Sequence, residues 1–289
     1  MQNLITRRMD EMTSREVEQY FKNGGDLVLV PFGPASGHGG NTSLGIHSHM
    51  AHAFSLLMAE KADGLVYPPL YTCFSGATRA YRGSASFTIT EQVNILKRIT
   101  GIYKAQGFRR VVLVAGTTPE NIAAQTAVRE YFDETEDPVW MVVFARLLEE
   151  PAIKEMIKGY PGHFGELVLD QAALKIIGRQ RPIPYPGHAR KLRAEGPDQP
   201  AEIHPDIVKM RTWGMVGFRH HDEENHSNHG NAGLTFKGMP DTDYAVKVFE
   251  KAANLALPAL QGYSRYLQWL KKHPFRYITP TERMGSEAK

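Results

Sequence analysis

Two histidines, His38 and His47, lie in a glycine-rich segment that could bind a metal ion. Residues 33–47 read G-P-A-S-G-H-G-G-N-T-S-L-G-I-H and follow an apolar run. Glycines let a backbone turn sharply and approach a ligand closely, and neutral imidazole is a common metal ligand. The segment is therefore either the first half of a metal site or a strand-to-helix turn with capping or exposed histidines. Their spacing matches neither H-x-x-x-H nor C-x-x-C, so it leaves both interpretations open.

Two further short segments carry acid–base groups next to glycines. In residues 116–121 (G-T-T-P-E-N), Glu120 is either a carboxylate ligand or general base, or a first-turn charge favoured by the helix dipole. In residues 162–166 (G-H-F-G-E), His163 could be an acid–base group, with Glu166 orienting it or binding metal. The alternative for the second segment is an ordinary turn into a helix.

Other histidines are interpreted more simply. Residues 218–231 hold four histidines and three acids, which is typical of either a metal-binding tract or a solvated loop. His49 and His52 share one face of a predicted helix, where structural or exposed roles are expected.

The elements that must position these residues alternate between strand and helix. Apolar runs predict strands at 26–31, 64–67, 110–115 and 139–144. Helical spacing predicts helices at 48–62, 90–106 (capped by Thr90), 119–132 and 167–177, and one or two helices over 242–272. This alternation predicts an α/β fold, with a mostly parallel sheet and helices on both faces.

Chemistry in such a fold is expected beyond the carboxyl ends of the strands. Three segments leave strands there, at 31–47, 68–83 and 116–121. Residues 181–240 contain seven prolines and few periodic apolar runs. They predict an irregular loop excursion within a single domain spanning 1–289, and such long loops often serve function or binding.

Composition narrows the class of protein and its partners. The chain has 289 residues and a net charge of +3, and its Lys and Arg residues are scattered, so nucleic acid is not expected as a partner. The single cysteine, Cys73, fits a reducing compartment. With no apolar signal core and no long apolar run, we expect a cytoplasmic protein with no membrane partner.

Four ordered segments of the chain resemble the creatininase (creatinine amidohydrolase) family. Residues 31–44 are similar to its P-x-G-S-x-E-Q-H-G-x-H-L-P. The stretch P-P-L-Y…Y-R-G-S-A-S-F-T-I-T is similar to P-P-I-x-Y…F-P-G-T-I-S-L, and Q-G-F-R-R-V-V-L-V-A-G to H-G-F-R-R-I-V-I-V-N-G. Residues 162–170, G-H-F-G-E-L-V-L-D, are similar to G-H-A-G-x-x-E-T-S.

The resemblance implies a three-layer fold, a hydrolase of cyclic amides or related C–N bonds, two divalent metals (Zn or Mn) and a hexamer. It places His38 on a family histidine, and His163 on the histidine that assists with protons. Several of the family's metal ligands are replaced, however: Ser36 and Val168 fall on glutamates, His47 on the bridging aspartate and Thr117 on a histidine.

These replacements predict one metal ion at most. A bridging carboxylate has two oxygens and a negative charge, whereas imidazole offers one lone pair to a metal. Two histidines and one carboxylate around an open position form a recurrent catalytic zinc site. The predicted ligands are His38, His47 and Glu120, with His163 and Glu166 as catalytic residues.

Three functions remain open from the sequence. The first is a hydrolase that opens a small cyclic amide, lactone or cyclic ketone with such a rebuilt site. The second is a metal-free enzyme in which His38, His163 and Glu166 do acid–base work. The third is a non-catalytic binding subunit that has lost its ligands. Tyr71, Phe74 and Tyr81 are expected to shape either the pocket or a subunit interface.

Overall fold

Four parallel strands form the sheet of the computed structural model, which describes residues 4–38, 40–75, 82–117, 121–160, 164–184 and 240–274. The strands are β1 (Leu27–Phe32), β2 (Leu65–Val66), β3 (Arg110–Ala115) and β4 (Trp140–Val143), in the order β2-β1-β3-β4. Every neighbouring pair is parallel. The four predicted strands and their parallel arrangement are therefore confirmed.

Eight α-helices lie in the described part of the chain, after a short 3₁₀ turn at Met9–Glu11. They are α1 (Ser14–Lys22), α2 (Ile46–Ala62), α3 (Ile89–Ala105), α4 (Asn121–Thr135), α5 (Phe144–Leu147), α6 (Pro151–Lys158), α7 (Glu166–Ile176) and α8 (Thr242–Lys272). The sequence predicted five of these segments. It did not predict α1, α5 or α6.

Alternation along the central strands places helices on both faces of the sheet. Leu27 and Leu29 of β1 point into a core shared with α2, α7 and α8. Val28 and Val30 point into the opposite core, which α1, α3 and α4 cover. Successive side chains of a strand face opposite ways, so a strand buried on both sides needs an unbroken apolar run. The predicted three-layer α/β fold is confirmed.

Two details of the helices differ from the sequence predictions. Thr88, and not Thr90, caps α3: its side chain accepts a hydrogen bond from Glu91 N, and the Glu91 carboxylate accepts one from Thr88 N. This reciprocal capping box satisfies two backbone donors at the helix start, so the helix begins at Ile89. The segment 242–272 forms one helix even though it contains Pro258.

The start of α2 is wedged against the ends of β1 and β3. A Cβ atom on Gly33 would lie 2.6 Å from Ser48 N, and one on Gly116 would lie 2.1 Å from His47 O. Only glycine allows so close a backbone approach. Ser48 Oγ fixes the contact by donating to Gly33 O at 2.5 Å. The first turn of α2 therefore has a defined position relative to both strands.

Most of the predicted loop excursion at 181–240 falls outside the described residues, since the chain is not described between 184 and 240. The single-domain organisation over 1–289 remains a prediction. Among the helices of the described ranges, none combines the length and apolar character needed to cross a membrane.

Candidate active site

The candidate site lies at the carboxyl ends of β1 and β3. From β1 the chain crosses to β2 on one side of the sheet, while β3 pairs with the other side. Ligands of open α/β sheets bind at such a switch point. Of the three predicted segments, 31–47 supplies His38 and 116–121 supplies Thr117. The third segment, 68–83, contacts the loop after β1 through Leu70, whose carbonyl accepts a hydrogen bond from Gly33 N at 3.0 Å.

Ser36, His38 and Glu166 form a linear chain of contacts that we call the relay cluster. His38 Nδ1 lies 3.0 Å from Glu166 Oε2. Its other ring nitrogen, Nε2, lies 3.0 Å from Ser36 Oγ. An ionised carboxylate can only accept a hydrogen bond, so Glu166 assigns the ring proton to Nδ1. Nε2 then carries the lone pair and accepts from the Ser36 hydroxyl.

The relay cluster runs from the protein interior towards solvent. Ser36 and His38 are buried, while the Glu166 side chain is 34% exposed. Glu166 is the first residue of α7, where the helix dipole also favours a negative charge. Glu166 thus begins a helix, as the helix-entry interpretation predicts, and its carboxylate contacts His38. Its predicted pairing with His163 stays a prediction, because His163 lies outside the described residues.

The loop that carries Ser36 and His38 is fixed by its own hydrogen bonds. Ser36 N donates to Leu44 O at 2.7 Å. Gly37 N donates to Ser84 Oγ at 2.9 Å, and Thr42 Oγ1 donates to His38 O at 2.6 Å. These contacts restrict the loop in spite of its glycines. The histidine is therefore preorganised rather than carried on a flexible turn.

His47 lies beside the relay cluster in the first turn of α2. Its ring centroid is 4.5 Å from that of His38, and its Nδ1 is 3.2 Å from Thr117 Oγ1. The side chain is buried. The structure thus brings together His38, His47 and Glu166 of the predicted site residues.

A second group of the same residue types, which we call the clamp cluster, lies one turn along α7. Asp170 is fully buried and accepts hydrogen bonds from Ser43 N at 2.7 Å and Ser43 Oγ at 2.6 Å. His49 Nδ1 lies 3.0 Å from Ser43 Oγ and 3.4 Å from Asp170 Oδ1. The acid is at the centre of this cluster, and it ties the 33–45 loop to α7. The structural role expected for His49 fits this arrangement.

A sequence model of the creatininase family, described as creatinine amidohydrolase, matches residues 10–233. The chain belongs to the creatininase family. A sequence comparison with curated proteins gave no match.

Solved creatininase structures share the fold of this family member. A creatinine amidohydrolase (creatininase) matches with a TM-score of 0.64 at 15% identity, covering 89% of this chain and 99% of its own. A structure named creatininase Mn gives a TM-score of 0.63 at 15% identity, with 88% and 99% coverage. A creatininase variant described as Zn-Zn type gives 0.61 at 15%, with 89% and 99% coverage. Mn and Zn forms thus occur among its structural neighbours.

The family resemblance raises the question of whether this creatininase-family chain has residues that fit a metal. Among residues 4–38, 40–75, 82–117, 121–160, 164–184 and 240–274, no group of three or more His, Cys, Asp or Glu side chains is arranged to hold one. Ser36 and the buried Val168 occupy positions where the resemblance implies glutamates. The described residues therefore do not fit a two-metal site.

Four predicted features lie outside the described residues: Tyr81, Glu120, His163 and the histidine-rich run at 218–231. The three-ligand set of His38, His47 and Glu120 and the catalytic role of His163 remain predictions. Of the predicted aromatic residues, Tyr71 lies near the clamp cluster, with its ring 6.3 Å from His49.

The sequence reasoning missed two side chains of these clusters, Ser36 in the relay cluster and Asp170 in the clamp cluster. The sequence identified Ser36 only as a position where a family ligand is replaced. It precedes His38 by two positions, a spacing that allows the two side chains to touch. Asp170 carried a readable signal, because a single acid inside the apolar run L-V-L-D-Q-A-A-L needs a buried partner. Its place one turn after Glu166 puts both acids on one face of α7.

A cleft of about 780 Å³ opens at the other end of the sheet, away from His38. It lies between the starts of β1 and β3 and the end of α8. Several of its charges pair with one another: Arg110 with Asp26 at 2.6 Å, and Lys104 with Asp137 at 2.7 Å. His38, His47 and Glu166 lie at the opposite, carboxyl end of the sheet, so this cleft is not part of the candidate site.

Proposed function

We propose that the protein is a hydrolase that opens a small cyclic amide, lactone or related ring by acid–base chemistry at His38. The observation that carries the proposal is the contact of His38 with Glu166 on one ring nitrogen and with Ser36 on the other, both at 3.0 Å. Membership of a family described as creatinine amidohydrolase supports the reaction class.

His38 has the geometry that a general base requires. Glu166 holds Nδ1–H and so keeps the lone pair of Nε2 directed at a hydroxyl. When that nitrogen takes a proton, the carboxylate stabilises the imidazolium that forms. The same proton can then pass to the ring nitrogen or oxygen as the bond to the carbonyl carbon breaks. Opening a ring needs both transfers, and one histidine can perform them in turn.

A panel of lactams, lactones and cyclic ketones tests the proposal. We expect the wild-type protein to open at least one ring class and to keep that activity in the presence of a chelator. His38→Gln should lower kcat by about 10³-fold, the typical contribution of a positioned base. His49→Gln is the matched control, because His49 belongs to the clamp cluster and should keep the activity of its folded fraction. Equal losses in the two variants would contradict the proposal.

The second candidate is a mononuclear Zn²⁺ or Mn²⁺ site held by His38, His47 and Glu120. It is supported by the 4.5 Å separation of the His38 and His47 rings. It is also supported by Glu166, since metal-binding histidines usually donate their other N–H to a carboxylate. Such an ion would polarise the carbonyl of the ring.

Bound metal separates the two candidates. The purified protein is dialysed against a chelator, reloaded with Zn²⁺ or Mn²⁺, and measured by mass spectrometry. One tight equivalent that His47→Gln removes would support the second candidate. No retained metal, together with undiminished ring opening, would support the first.

We also propose His163 as a second proton-transfer residue of the site. The protein is proposed to act in the cytoplasm on small molecules as a homo-oligomer, hexameric by family resemblance, with no nucleic-acid or membrane partner. Light scattering of the purified chain measures the assembly, and a monomeric mass would contradict that part of the proposal.

A further inference from the structure

We propose that Ser36 is a covalent nucleophile and that ring opening proceeds through an ester on its Oγ. This inference rests on the proposed hydrolase function and deepens it, because it names the atom that attacks the substrate. A serine next to a histidine that an acid orients is the recurrent arrangement for acyl transfer.

The order of the contacts supports this assignment. In the relay cluster the histidine lies between the hydroxyl and the acid. A proton can therefore pass from Ser36 Oγ to His38 Nε2 while Nδ1–H keeps its hydrogen bond to the Glu166 carboxylate. Both separations are 3.0 Å, within the range that a nucleophile and its base require.

The clamp cluster provides an internal contrast. Ser43 Oγ donates directly to Asp170 at 2.6 Å. That carboxylate is already the acceptor of Ser43 N, and it is fully buried. Ser43 Oγ also lies 3.0 Å from His49 Nδ1, but its own proton goes to the shorter contact with Asp170. The hydroxyl of Ser36 instead donates to a histidine nitrogen, so the two buried serines differ in the acceptor of their hydroxyl proton.

The fixed backbone around Ser36 also suits a nucleophile. Its N–H donates to Leu44 O at 2.7 Å, and the next N–H, that of Gly37, donates to Ser84 Oγ. The backbone that carries the Ser36 hydroxyl is thus held in place on the loop that also carries His38. These two N–H groups are engaged, so the developing negative charge on the substrate oxygen would need a donor other than them.

The proposed step balances without any further reactant. Ser36 Oγ forms a bond to the carbonyl carbon of a lactam or lactone, and its proton moves to His38 Nε2. The bond from that carbon to the ring nitrogen or oxygen breaks, and the leaving atom takes the proton from Nε2. Water then attacks the carbonyl carbon of the ester and gives a proton to Nε2. The bond from that carbon to Ser36 Oγ breaks, and Oγ takes the proton back from Nε2. The net reaction adds one water and yields an amino or hydroxy acid.

A ring substrate has a consequence that an open-chain ester lacks. The leaving amine or alcohol stays attached to the acyl chain, so it can attack the Ser36 ester and close the ring again. Hydrolysis succeeds only when water reaches the ester faster. The acyl-enzyme should therefore accumulate, in measurable amounts, with substrates whose leaving group is a weak nucleophile.

Labelling with a fluorophosphonate probe tests the nucleophile on the intact protein. The probe forms a bond from phosphorus to a reactive serine oxygen and releases fluoride. We expect one label per chain, mapped by peptide mass spectrometry to Ser36, and no label in Ser36→Ala. Ser43→Ala should still be labelled, and Glu166→Gln should be labelled at least about tenfold more slowly, because the imidazole loses its orienting carboxylate.

The outcomes separate this inference from the proposed function. No label, a label on another residue, or unchanged ring opening in Ser36→Ala would overturn the nucleophile. Mapping the label on the wild-type chain decides the question even if a variant fails to fold. A labelled Ser36 in a protein that opens no ring of the panel would overturn the proposed substrate class while leaving the nucleophile in place.

Discussion

The relay cluster and the clamp cluster are built from the same residue types and differ in connectivity. Each joins a serine and a histidine of the segment 36–49 to an acid on α7. In the relay cluster the histidine is central and touches both Ser36 and Glu166. In the clamp cluster the acid is central, and Ser43 donates to it directly. A central histidine can pass a proton between its neighbours, whereas a central carboxylate only gathers donors.

The two acids, Asp170 of the clamp cluster and Glu166 of the relay cluster, also differ in their exposure to solvent. Asp170 is 0% exposed at its side chain and Glu166 is 34% exposed. A buried carboxylate must have its hydrogen bonds made inside the protein, which suits a structural tie. An acid at the surface end of a chain of contacts can orient a histidine without making folding depend on it. The two acids therefore predict different costs on mutation.

The largest effect expected from replacing one of the two acids is on stability and concerns the clamp cluster. Asp170→Ala removes the acceptor of Ser43 N and Ser43 Oγ and leaves a buried N–H without its partner. We expect a loss of about 3 kcal/mol in the free energy of unfolding. Urea unfolding of the variant and the wild type measures it. A loss below about 1 kcal/mol would show that Asp170 does not tie the loop to α7.

A smaller effect, on activity, is expected in the relay cluster. Glu166→Gln keeps the side-chain shape but removes the charge that orients Nδ1–H of His38. A hydrogen bond to a charged group contributes about 2 kcal/mol, so kcat should fall about 30-fold. The urea midpoint should stay near that of the wild type. An unchanged kcat with a lower midpoint would reverse the roles assigned to the two acids.

The smallest expected effect at neutral pH concerns His52, which lies on α2 beyond the clamp cluster. Burial lowers the pKa of His52 to about 3, and the charges of Arg8, Arg179 and His49 add to the shift. Its Nδ1 has no hydrogen-bond partner among the described residues. The unfolded chain, with the ordinary histidine pKa of about 6.5, therefore takes up a proton before the folded one does.

Stability should consequently fall as the pH drops below about 6.5, by about 1.4 kcal/mol per pH unit from this residue, until the pH nears the folded value. Urea unfolding at several pH values measures the slope. His52→Leu should flatten it relative to the wild type. If the two slopes agree, His52 is not the neutral buried group described here, and acid sensitivity would have to come from elsewhere.

The sequence predicted the framework of the molecule better than its reacting atoms. Buried strands such as Arg110–Ala115 have a local signature, an unbroken apolar run, and the predicted bounds match. The error at the start of α3 was also local: T-I-T-E spells a capping box from Thr88 to Glu91, and that spacing identifies the cap. Short helices such as α5 give too few residues for a periodic signal.

The contacts of the site could not be predicted in the same way. Glu166 and His38 are separated by 128 positions in the chain. No periodic pattern reports that the start of α7 faces the loop after β1. The family resemblance identified His38 and the loop around it, but it described Ser36 only by what it replaced. The tertiary structure added the hydroxyl as a partner of His38 and gave Glu166 its role in orienting that ring.

The rate of ring opening after metal removal tests the central claim most directly. The protein is stripped with a chelator, its metal content is measured, and its best substrate from the ring panel is assayed again. The account predicts an unchanged rate without bound metal, because Ser36, His38 and Glu166 supply the nucleophile and the proton transfers. A rate that disappears with the metal and returns on adding Zn²⁺ or Mn²⁺ would contradict it.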